Sequence, residues 1–191
     1  MIKYAIVGNI ASGKSTFEKV LEKHGFVVLD TDLMTHDILM DNPVVAKAFS
    51  DYDVFEFGRL SKDKLGKLVF SDNEMKIKLE SIVHPLIKEE IETAFKVYSK
   101  EKAVFISVPL LFEVGWAGLF DKVIFIKSDE NVRLQRLIER NGYTEEYAQK
   151  RIQSQGCQQD KCDKSDYVIE NNGTKDEYIE KIERFIQDVC S

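Results

Sequence analysis

An eight-residue segment near the start of the chain, GNIASGKS (residues 8–15), constrains the fold more than any other feature. It fits the pattern G-x-x-x-x-G-K-[ST], in which backbone N–H groups surround a polyphosphate at the N-terminus of a helix. The apolar run YAIV (residues 4–7) leads into the segment, and Phe17, Val20 and Leu21 recur at helical spacing after it. The order is therefore strand, phosphate-binding loop and helix, which is the context that the motif requires.

The residue types in this loop suit the binding of phosphate. Gly8 and Gly13 allow backbone conformations and a close approach to phosphate that a Cβ atom would hinder. Lys14 can reach the β- and γ-phosphates, and the Ser15 hydroxyl is a candidate ligand of Mg²⁺. The predicted nucleotide-binding residues are Ala11, Ser12, Gly13, Lys14, Ser15 and Thr16.

Composition limits the function classes. A chain of 191 residues with 43% hydrophobic residues fits one domain with an inserted lid. Its formal net charge of −6 is opposite to that of most nucleic-acid-binding proteins, so we expect a small-molecule nucleotide and no nucleic acid. The sequence has no apolar run of membrane-spanning length and no signal-peptide pattern at its start. We therefore expect a cytoplasmic protein without a membrane partner.

The three cysteines, Cys157, Cys162 and Cys190, form no C-x-x-C pair and have no histidine nearby. This arrangement argues against a disulfide framework and against a zinc site. We expect Cys157 and Cys162, which lie in a polar stretch, to be exposed and reduced.

A second short apolar strand, FVVL (residues 26–29), ends in Asp30-Thr31-Asp32. Ligands of open α/β sheets bind at the carboxyl ends of the strands, so carboxylates arriving there are well placed for chemistry. Asp32 is the candidate general base. If the backbone stays extended, both side chains point the same way, so that one can accept a proton from a substrate hydroxyl while the other helps to order Mg²⁺ and its waters. The alternative is that Asp32 only caps the helix predicted for residues 33–40.

The stretch from residue 41 to residue 99 reads as helical and charged, and no strand signal interrupts it. Such an insertion between the second and third strands is where a parallel-sheet kinase could bind its second substrate. His84-Pro85 falls inside the predicted helix 73–97, and the proline should kink it. From the residues alone, His84 is more simply a packed or solvent-facing side chain than a ligand.

The third strand, residues 103–108, is followed by PLLFE (residues 109–113). Many phosphate-loop proteins carry an aspartate near the tip of this strand to hold Mg²⁺. Ser107 lies there instead, which leaves Asp32 and Glu113 as the candidate carboxylates. The Leu-Leu-Phe segment forms either a wall of the substrate site or a buried turn.

The fourth strand, residues 123–126, precedes a helix on which Arg133, Arg136 and Arg140 recur at i, i+3 and i+7. Such a stripe is usually solvated, but in a phosphoryl-transfer enzyme its arginines can cover the phosphates. A further helix follows, which predicts a lid-like hairpin that excludes water. After the fifth strand, residues 166–169, Asn171 either contacts a nucleotide base or forms a turn.

These elements predict an α/β, three-layer P-loop NTPase fold with a central five-stranded parallel sheet, a helical substrate-binding insertion and a helical lid. We expect a single domain over residues 1–191. Its core should comprise residues of about 1–40, 100–130 and 160–191, the acceptor-substrate region about 41–99, and the lid about 131–159.

The set of motifs resembles the dephospho-CoA kinase family from the phosphate loop almost to the C-terminus. The resemblance rests on the loop through Thr16, Asp30-Thr31-Asp32, residues 65–70, His84-Pro85, PLLFE at 109–113, Arg136 and Arg140, Arg151 and Gln155, and SDYVI at 165–169 with Asn171. The combination of Asp-x-Asp, His-Pro and Pro-Leu-Leu-Phe-Glu in this order is specific to the family. Two departures are visible: the loop reads Gly-Asn-Ile-Ala where the family usually has Gly-Gly-Ile-Gly, and Lys62 occupies a position usually held by arginine, with Arg59 three residues earlier.

The resemblance implies transfer of the γ-phosphoryl group of ATP to the ribose 3′-hydroxyl of dephospho-CoA, with Mg²⁺. We expect a monomer or weak homo-oligomer. It implies catalytic roles for Asp32, Lys14 and Arg140 and acceptor contacts by His84, Leu111, Glu113 and Lys62. A nucleoside monophosphate kinase shares the loop, the sheet and an arginine lid. A GTP-dependent switch is a third possibility, but the sequence has no Asn-Lys-x-Asp segment for reading guanine.

Overall fold

The computed structural model describes residues 1–190, except for the side chains of Asp41 and Cys190. This part of the chain contains seven strands and nine α-helices, together with one short 3₁₀ helix, Ala117–Leu119. In chain order they are β1 (Ile2–Gly8), α1 (Lys14–Lys23), β2 (Val27–Asp30), α2 (Thr31–Asp41), α3 (Pro43–Ala48), β3 (Phe55–Glu56), β4 (Arg59–Leu60), α4 (Lys62–Ser71), α5 (Asn73–Val97), β5 (Ala103–Ser107), β6 (Lys122–Lys127), α6 (Glu130–Asn141), α7 (Glu145–Gln153), α8 (Gln158–Asp163), β7 (Tyr167–Glu170) and α9 (Lys175–Cys190).

Five of the strands form one parallel sheet in the order β2-β5-β1-β6-β7, as predicted from the five apolar runs. The glycine-rich loop follows the central strand β1, which pairs in parallel with both β5 and β6. In this register Ile6 lies opposite Ser107 on β5, so the end of β5 comes next to the start of the loop. The crossover connections and the helices make this an α/β fold, which confirms the predicted class.

The chain divides into two compact units. The first unit comprises Met1–Leu29 and the chain from Tyr98 onward, and the second comprises Asp30–Val97. The boundary at Asp30 assigns α2 to the second unit, whereas the sequence predicts that the helical insertion begins at residue 41.

An aromatic core holds the first unit together. Tyr4 of β1 stacks on Phe105 of β5 with ring centroids 4.7 Å apart, and the Phe185 ring of α9 meets Tyr4 edge-on at 6.3 Å. Phe17 of α1 is fully buried and packs against Phe185 at 5.7 Å. Because α1 and α9 contribute to the same cluster, the helix that follows the loop is fixed to the sheet by apolar burial.

Polar contacts join the start of β6 to Asp166, the residue before β7. The Asp166 carboxylate accepts hydrogen bonds from the Val123 amide and from the Lys122 ammonium, both at 2.8 Å. Burial opposes ionisation of Asp166, but these two hydrogen bonds outweigh it and hold the pKa of the carboxyl below its usual range.

The second unit is built on the long helix α5. Phe49 is fully buried, and the Lys78 ammonium lies 5.0 Å from the centre of its ring and donates to the Ala48 carbonyl at 2.6 Å. The α5 helix continues through Pro85, so this proline does not end it. The part of the chain predicted to lack strands contains a short antiparallel hairpin, β3–β4, which corrects that prediction.

The described cysteine side chains, Cys157 and Cys162, are free thiols. Cys157 is exposed as predicted, but Cys162 is half-buried, and burial raises the pKa of its thiol. Cys190 lies outside the described side chains. Among the helices that the structure describes, none combines the length and the apolar character that crossing a membrane requires.

Candidate active site

Two residues of the loop after β1 have positive φ. Gly13 has φ 100° and is the N-cap of α1, and Ala11 has φ 60°. A Cβ atom at position 13 would collide with the side-chain amide of Asn171, so both the backbone and the available space require glycine there. Ala11 occupies the left-handed region with a side chain, at one of the two loop positions where the sequence departs from the usual pattern of the family.

The start of α1 presents backbone donors. The amides of Thr16 and Phe17 bond to the Gly13 carbonyl at 3.0 and 3.2 Å. Helix geometry leaves the amides of Lys14 and Ser15 without an intrahelical acceptor, and the N-cap residue has no side chain to accept from them. These donors, together with the helix dipole, form an anion-binding site.

The Lys14 ammonium is held close to the loop. It lies 2.9 Å from a carboxylate oxygen of Glu18, one turn further along α1, and it also donates to the Ser107 hydroxyl at the end of β5. Lys14 and Glu18 are both largely buried, with side chains 17% and 14% exposed. The lysine is therefore already positioned at the carboxyl end of the sheet, where phosphate would compete with Glu18 for its charge.

Four side chains hold the back of the loop, two from helices and two from the segments that follow α7 and β7. Arg136 of α6 donates to the Ala11 carbonyl at 3.3 Å, and Asn171, just after β7, donates to the Ser12 carbonyl at 2.8 Å. The Tyr178 hydroxyl of α9 donates to the Gly13 carbonyl at 3.3 Å. Gln155, after α7, accepts from the Ile10 amide at 2.6 Å.

The ionisation of this network suits its role. Burial raises the pKa of Tyr178, so its hydroxyl keeps the proton that it donates. Burial also lowers the pKa of Arg136 from its usual value, but an arginine stays protonated at any physiological pH. The network therefore keeps its donors over the whole range in which the protein would work.

The three arginines of α6 have different surroundings. Arg136 bonds to the loop, whereas Arg133 is buried, donates to the Ser128 carbonyl at 3.2 Å, and has a terminal nitrogen without a hydrogen-bond partner among the described residues. Arg140, the predicted catalytic arginine, is exposed and donates to the neighbouring Asn141 side chain at 3.0 Å. The sequence stripe did not reveal that Arg136 is the one that reaches the loop.

The segment after β5 turns inward at one leucine. Leu111 is fully buried, whereas Leu110 is 57% exposed, so the turn is partly core and partly surface. The Glu113 carboxylate pairs with the Lys161 ammonium of α8 at 2.8 Å, and Lys161 is buried. Contact of Leu111 and Glu113 with a substrate stays a prediction. Lys161 is a charged partner that the sequence did not indicate.

In the second unit, the carboxylate of Asp30 caps α2 by accepting from the Asp32 amide at 2.8 Å. Asp32 lies in the first turn of the helix with its side chain exposed. The backbone therefore does not stay extended through this pair, and the capping role considered for Asp32 belongs to Asp30. Asp32 as general base stays a prediction.

The other predicted acceptor residues also lie in the second unit. His84 is half-buried in the middle of α5. Lys62 begins α4, Arg59 begins β4, and both side chains are exposed. Either cation is accessible to an anionic ligand, and a contact by Lys62 stays a prediction.

The residues present fit magnesium held with a nucleotide rather than in a cage of protein ligands. Among the described residues, no group of three or more His, Cys, Asp or Glu side chains is arranged to hold a metal ion. Mg²⁺ commonly binds to phosphates and water with one or two protein ligands. The exposed Ser15 hydroxyl in the first turn of α1 suits that mode.

Comparisons with known proteins identify the family of this chain. The chain matches the dephospho-CoA kinase family over residues 2–177. It is 36% identical over 178 residues to a dephospho-CoA kinase of Geobacillus kaustophilus, covering 90% of this chain and 89% of that protein. A dephospho-CoA kinase of Fusobacterium nucleatum is 35% identical over 187 residues, covering 96% of each chain.

Solved structures give the same result. A crystal structure of a Thermus thermophilus protein, TT1252, superposes with a TM-score of 0.83 at 31% identity, covering 99% of this chain and 96% of that one. The dephospho-CoA kinase from Campylobacter jejuni superposes with a TM-score of 0.80 at 29% identity, covering 98% and 96%. A shikimate kinase from Bacteroides thetaiotaomicron, at 13% identity and a TM-score of 0.59, shares the fold. The sequence match over nearly the whole chain and the loop geometry lead to one conclusion: this chain belongs to the dephospho-CoA kinase family.

Proposed function

We propose that this protein uses ATP to phosphorylate the ribose 3′-hydroxyl of dephospho-CoA, giving coenzyme A in the last step of its synthesis. The observation that carries the proposal is the family match over residues 2–177. The open amides at the start of α1 and the position of Lys14 support it, since a triphosphate needs both.

The nucleotide would bind along residues 11–16, with backbone N–H groups and the Lys14 ammonium around its β- and γ-phosphates. For this contact Lys14 would exchange part of its bonding to Glu18 for bonding to phosphate oxygens. Ser15 and Asp32 are the candidate ligands of Mg²⁺, which neutralises charge on the β- and γ-phosphates when it is bound.

In the transfer, the acceptor oxygen would attack the γ-phosphorus in line with the departing ADP oxygen. A new P–O bond forms, the bond to the β–γ bridging oxygen breaks, and Asp32 takes the proton of the hydroxyl. Arg140 would add positive charge as negative charge spreads over the phosphoryl oxygens. His84, Leu111, Glu113 and Lys62 would contact dephospho-CoA.

The remaining parts of the proposal concern partners and location. The small-molecule partners would be ATP and dephospho-CoA, without nucleic acid, and the protein would work as a monomer or weak homo-oligomer. A cytoplasmic location suits an enzyme whose phosphoryl donor is ATP.

The test is a coupled assay of ADP release with dephospho-CoA, AMP, CMP or shikimate as acceptor. We expect turnover with dephospho-CoA to exceed that with each of the others at equal concentration. Robust turnover with AMP or CMP alone would point instead to a nucleoside monophosphate kinase.

Two substitutions test the roles. Lys14→Ala should lower kcat/KM by a factor of roughly 10² to 10³, the usual loss when one preorganised donor is removed from a transition-state site. Asp32→Asn should lower kcat at least about a hundredfold and leave ATP binding largely intact. Asp37→Asn, at an exposed carboxylate of the same helix, is the matched control and should retain kcat. Near-normal turnover of Lys14→Ala or Asp32→Asn would contradict the assignments.

A further inference from the structure

We propose that Asn171, Arg136 and Tyr178 are positioning residues for phosphate binding, which set the direction of the N–H groups of the loop from behind. The inference deepens the proposed function and rests on the loop being the ATP site. It assigns these three side chains a role in orienting the backbone, distinct from contact with the base or the phosphates of the nucleotide.

The first step of the argument concerns the geometry of a peptide unit. Because the unit is planar and trans, the C=O of one residue and the N–H of the next point in opposite directions. A side chain that holds a carbonyl on one side of the loop therefore aims the following amide toward the other side. In a loop of this kind, that other side is where phosphate binds.

Successive carbonyls of the loop are held in this way. Asn171 holds the Ser12 carbonyl at 2.8 Å, which directs the Gly13 amide. The Gly13 carbonyl accepts hydrogen bonds from the Tyr178 hydroxyl at 3.3 Å and from the amides of Thr16 and Phe17. Together these bonds direct the Lys14 amide. Without these contacts, the flexible backbone at Gly13 could rotate these peptide units away from the phosphate site.

Arg136 supports Asn171 as well as the loop. Its Nη2 donates to both the backbone and the side-chain oxygen of Asn171 at 3.1 Å, and its Nη1 donates to the Ser128 hydroxyl at 3.1 Å and the Ala11 carbonyl at 3.3 Å. Asn171 is therefore held in the orientation in which its NH₂ group faces Ser12. To reach a phosphate, the Arg136 guanidinium would have to break several of these four hydrogen bonds. Its role therefore differs from the one predicted for the arginines of this helix, which was to cover the phosphates.

Burial makes the arrangement rigid. Asn171 is 6% exposed and Tyr178 is 2% exposed, so water cannot readily replace the bonds that they make to the loop. A Cβ atom at position 13 would also collide with the Asn171 amide, so this side chain fills the space directly behind the loop.

The test compares Mg-ATP with Mg-tripolyphosphate, which has the phosphate chain but no base, as ligands in calorimetric titrations. For Asn171→Ala we expect the dissociation constants of both ligands to rise by the same factor, roughly tenfold for a lost buried hydrogen bond that orients a donor. Asn172→Ala is the matched control: its side-chain oxygen accepts from the Asp129 amide at 2.8 Å and, more weakly, from the Ser128 hydroxyl at 3.4 Å, and none of its hydrogen bonds within the described part of the chain goes to the loop. Both of its dissociation constants should stay near those of the wild type.

A loss confined to ATP would overturn the inference and show that Asn171 contacts the base. Unchanged binding of both ligands would overturn it as well. If the wild type bound neither ligand, the proposed function itself would fail, so the two failures are distinguishable.

Further variants at Tyr178 and Arg136 keep the test decisive if Asn171→Ala does not fold. Tyr178→Phe removes one hydroxyl and keeps the buried ring, and it should weaken both ligands equally, by roughly threefold. Arg136→Lys keeps the charge but cannot span the acceptors on Ala11, Ser128 and Asn171, so it should bind tripolyphosphate as poorly as Arg136→Ala does. Recovery of binding with lysine would show that Arg136 acts as a charge on the phosphates.

Discussion

Phe57 lies at the tip of the β3–β4 hairpin in a conformation that aromatic residues rarely adopt. Glu56 pairs with Arg59, so Phe57 and Gly58 form a two-residue connection, and both have positive φ, 50° and 79°. This is the pattern of a type I′ turn, for which Asn-Gly is the preferred sequence. The Phe57 ring is fully exposed, so it gains nothing from burial that would offset the strain.

We expect Phe57→Asn to stabilise the protein by about 1 kcal/mol. A residue with a Cβ atom loses roughly 1–2 kcal/mol in the left-handed region, and asparagine tolerates it best among residues other than glycine. No apolar contact is lost, because the ring is fully exposed. For a domain of this size, about 1 kcal/mol corresponds to a rise in Tm of roughly 2–4 °C.

The assay is urea unfolding followed by circular dichroism at 222 nm, which reports on the helices of both units. Phe57→Ala is the matched control: it removes the ring but keeps the Cβ atom at positive φ, so its stability should match that of the wild type. The stability of Phe57→Gly should fall between those of the asparagine and alanine variants. Glycine relieves the strain, but the extra chain entropy of its unfolded state offsets part of this gain, by about 0.5–1 kcal/mol. Equal stability of the asparagine and alanine variants would refute the reasoning.

Three other perturbations have defined outcomes. Glu18→Gln should tighten ATP binding by a few-fold in a calorimetric titration, since Lys14 would no longer be paired with a carboxylate; weaker binding would show that Glu18 orients the lysine. Asp166→Asn should lower the free energy of unfolding in urea at pH 7 by roughly 0.5 kcal/mol, since solvent screens the exposed pair that this carboxylate forms with Lys122. A carboxyl whose folded pKa is lowered contributes its full stabilisation above its unfolded pKa and loses it as the pH falls through the folded pKa, so the cost of the substitution should shrink in acid; an equal cost at pH 7 and in acid would contradict this. Glu113→Ala should destabilise the protein by about 1–2 kcal/mol more than Lys161→Met, because only the former leaves a buried ammonium unpaired; the reverse order would contradict it.

The sheet and the phosphate loop could be predicted because their signals are local. Each strand of the sheet is an apolar run bounded by turn residues, and the loop motif specifies its own flanking elements. The family followed from motifs in a fixed order, and the match over residues 2–177 confirms it.

The features that the sequence did not predict depend on contacts between distant residues or on unusual turn chemistry. The β3–β4 hairpin has strands of two residues each and a phenylalanine where a turn residue is expected, so no hairpin signal was present. Similarly, the spacing of the arginines on α6 shows only that they share one face of the helix. It does not indicate that Arg136, and not Arg140, reaches the loop. The partners of Arg136 come from residue 11 and from residue 171, and only the folded chain brings them together.

The α6–α7 hairpin is fixed to the phosphate loop at its base. The Ile10 amide bonds to Gln155 at 2.6 Å, and the Ile10 side chain packs on the small apolar cluster of Leu137, Ala148 and Ile152. A swing of the whole hairpin would expose that cluster, at about 0.8 kcal/mol per methylene uncovered. On closure over a bound nucleotide, we therefore expect the tip of the hairpin to move while its base stays in place. The movement should be concentrated around Gly142, where the backbone has φ 65°.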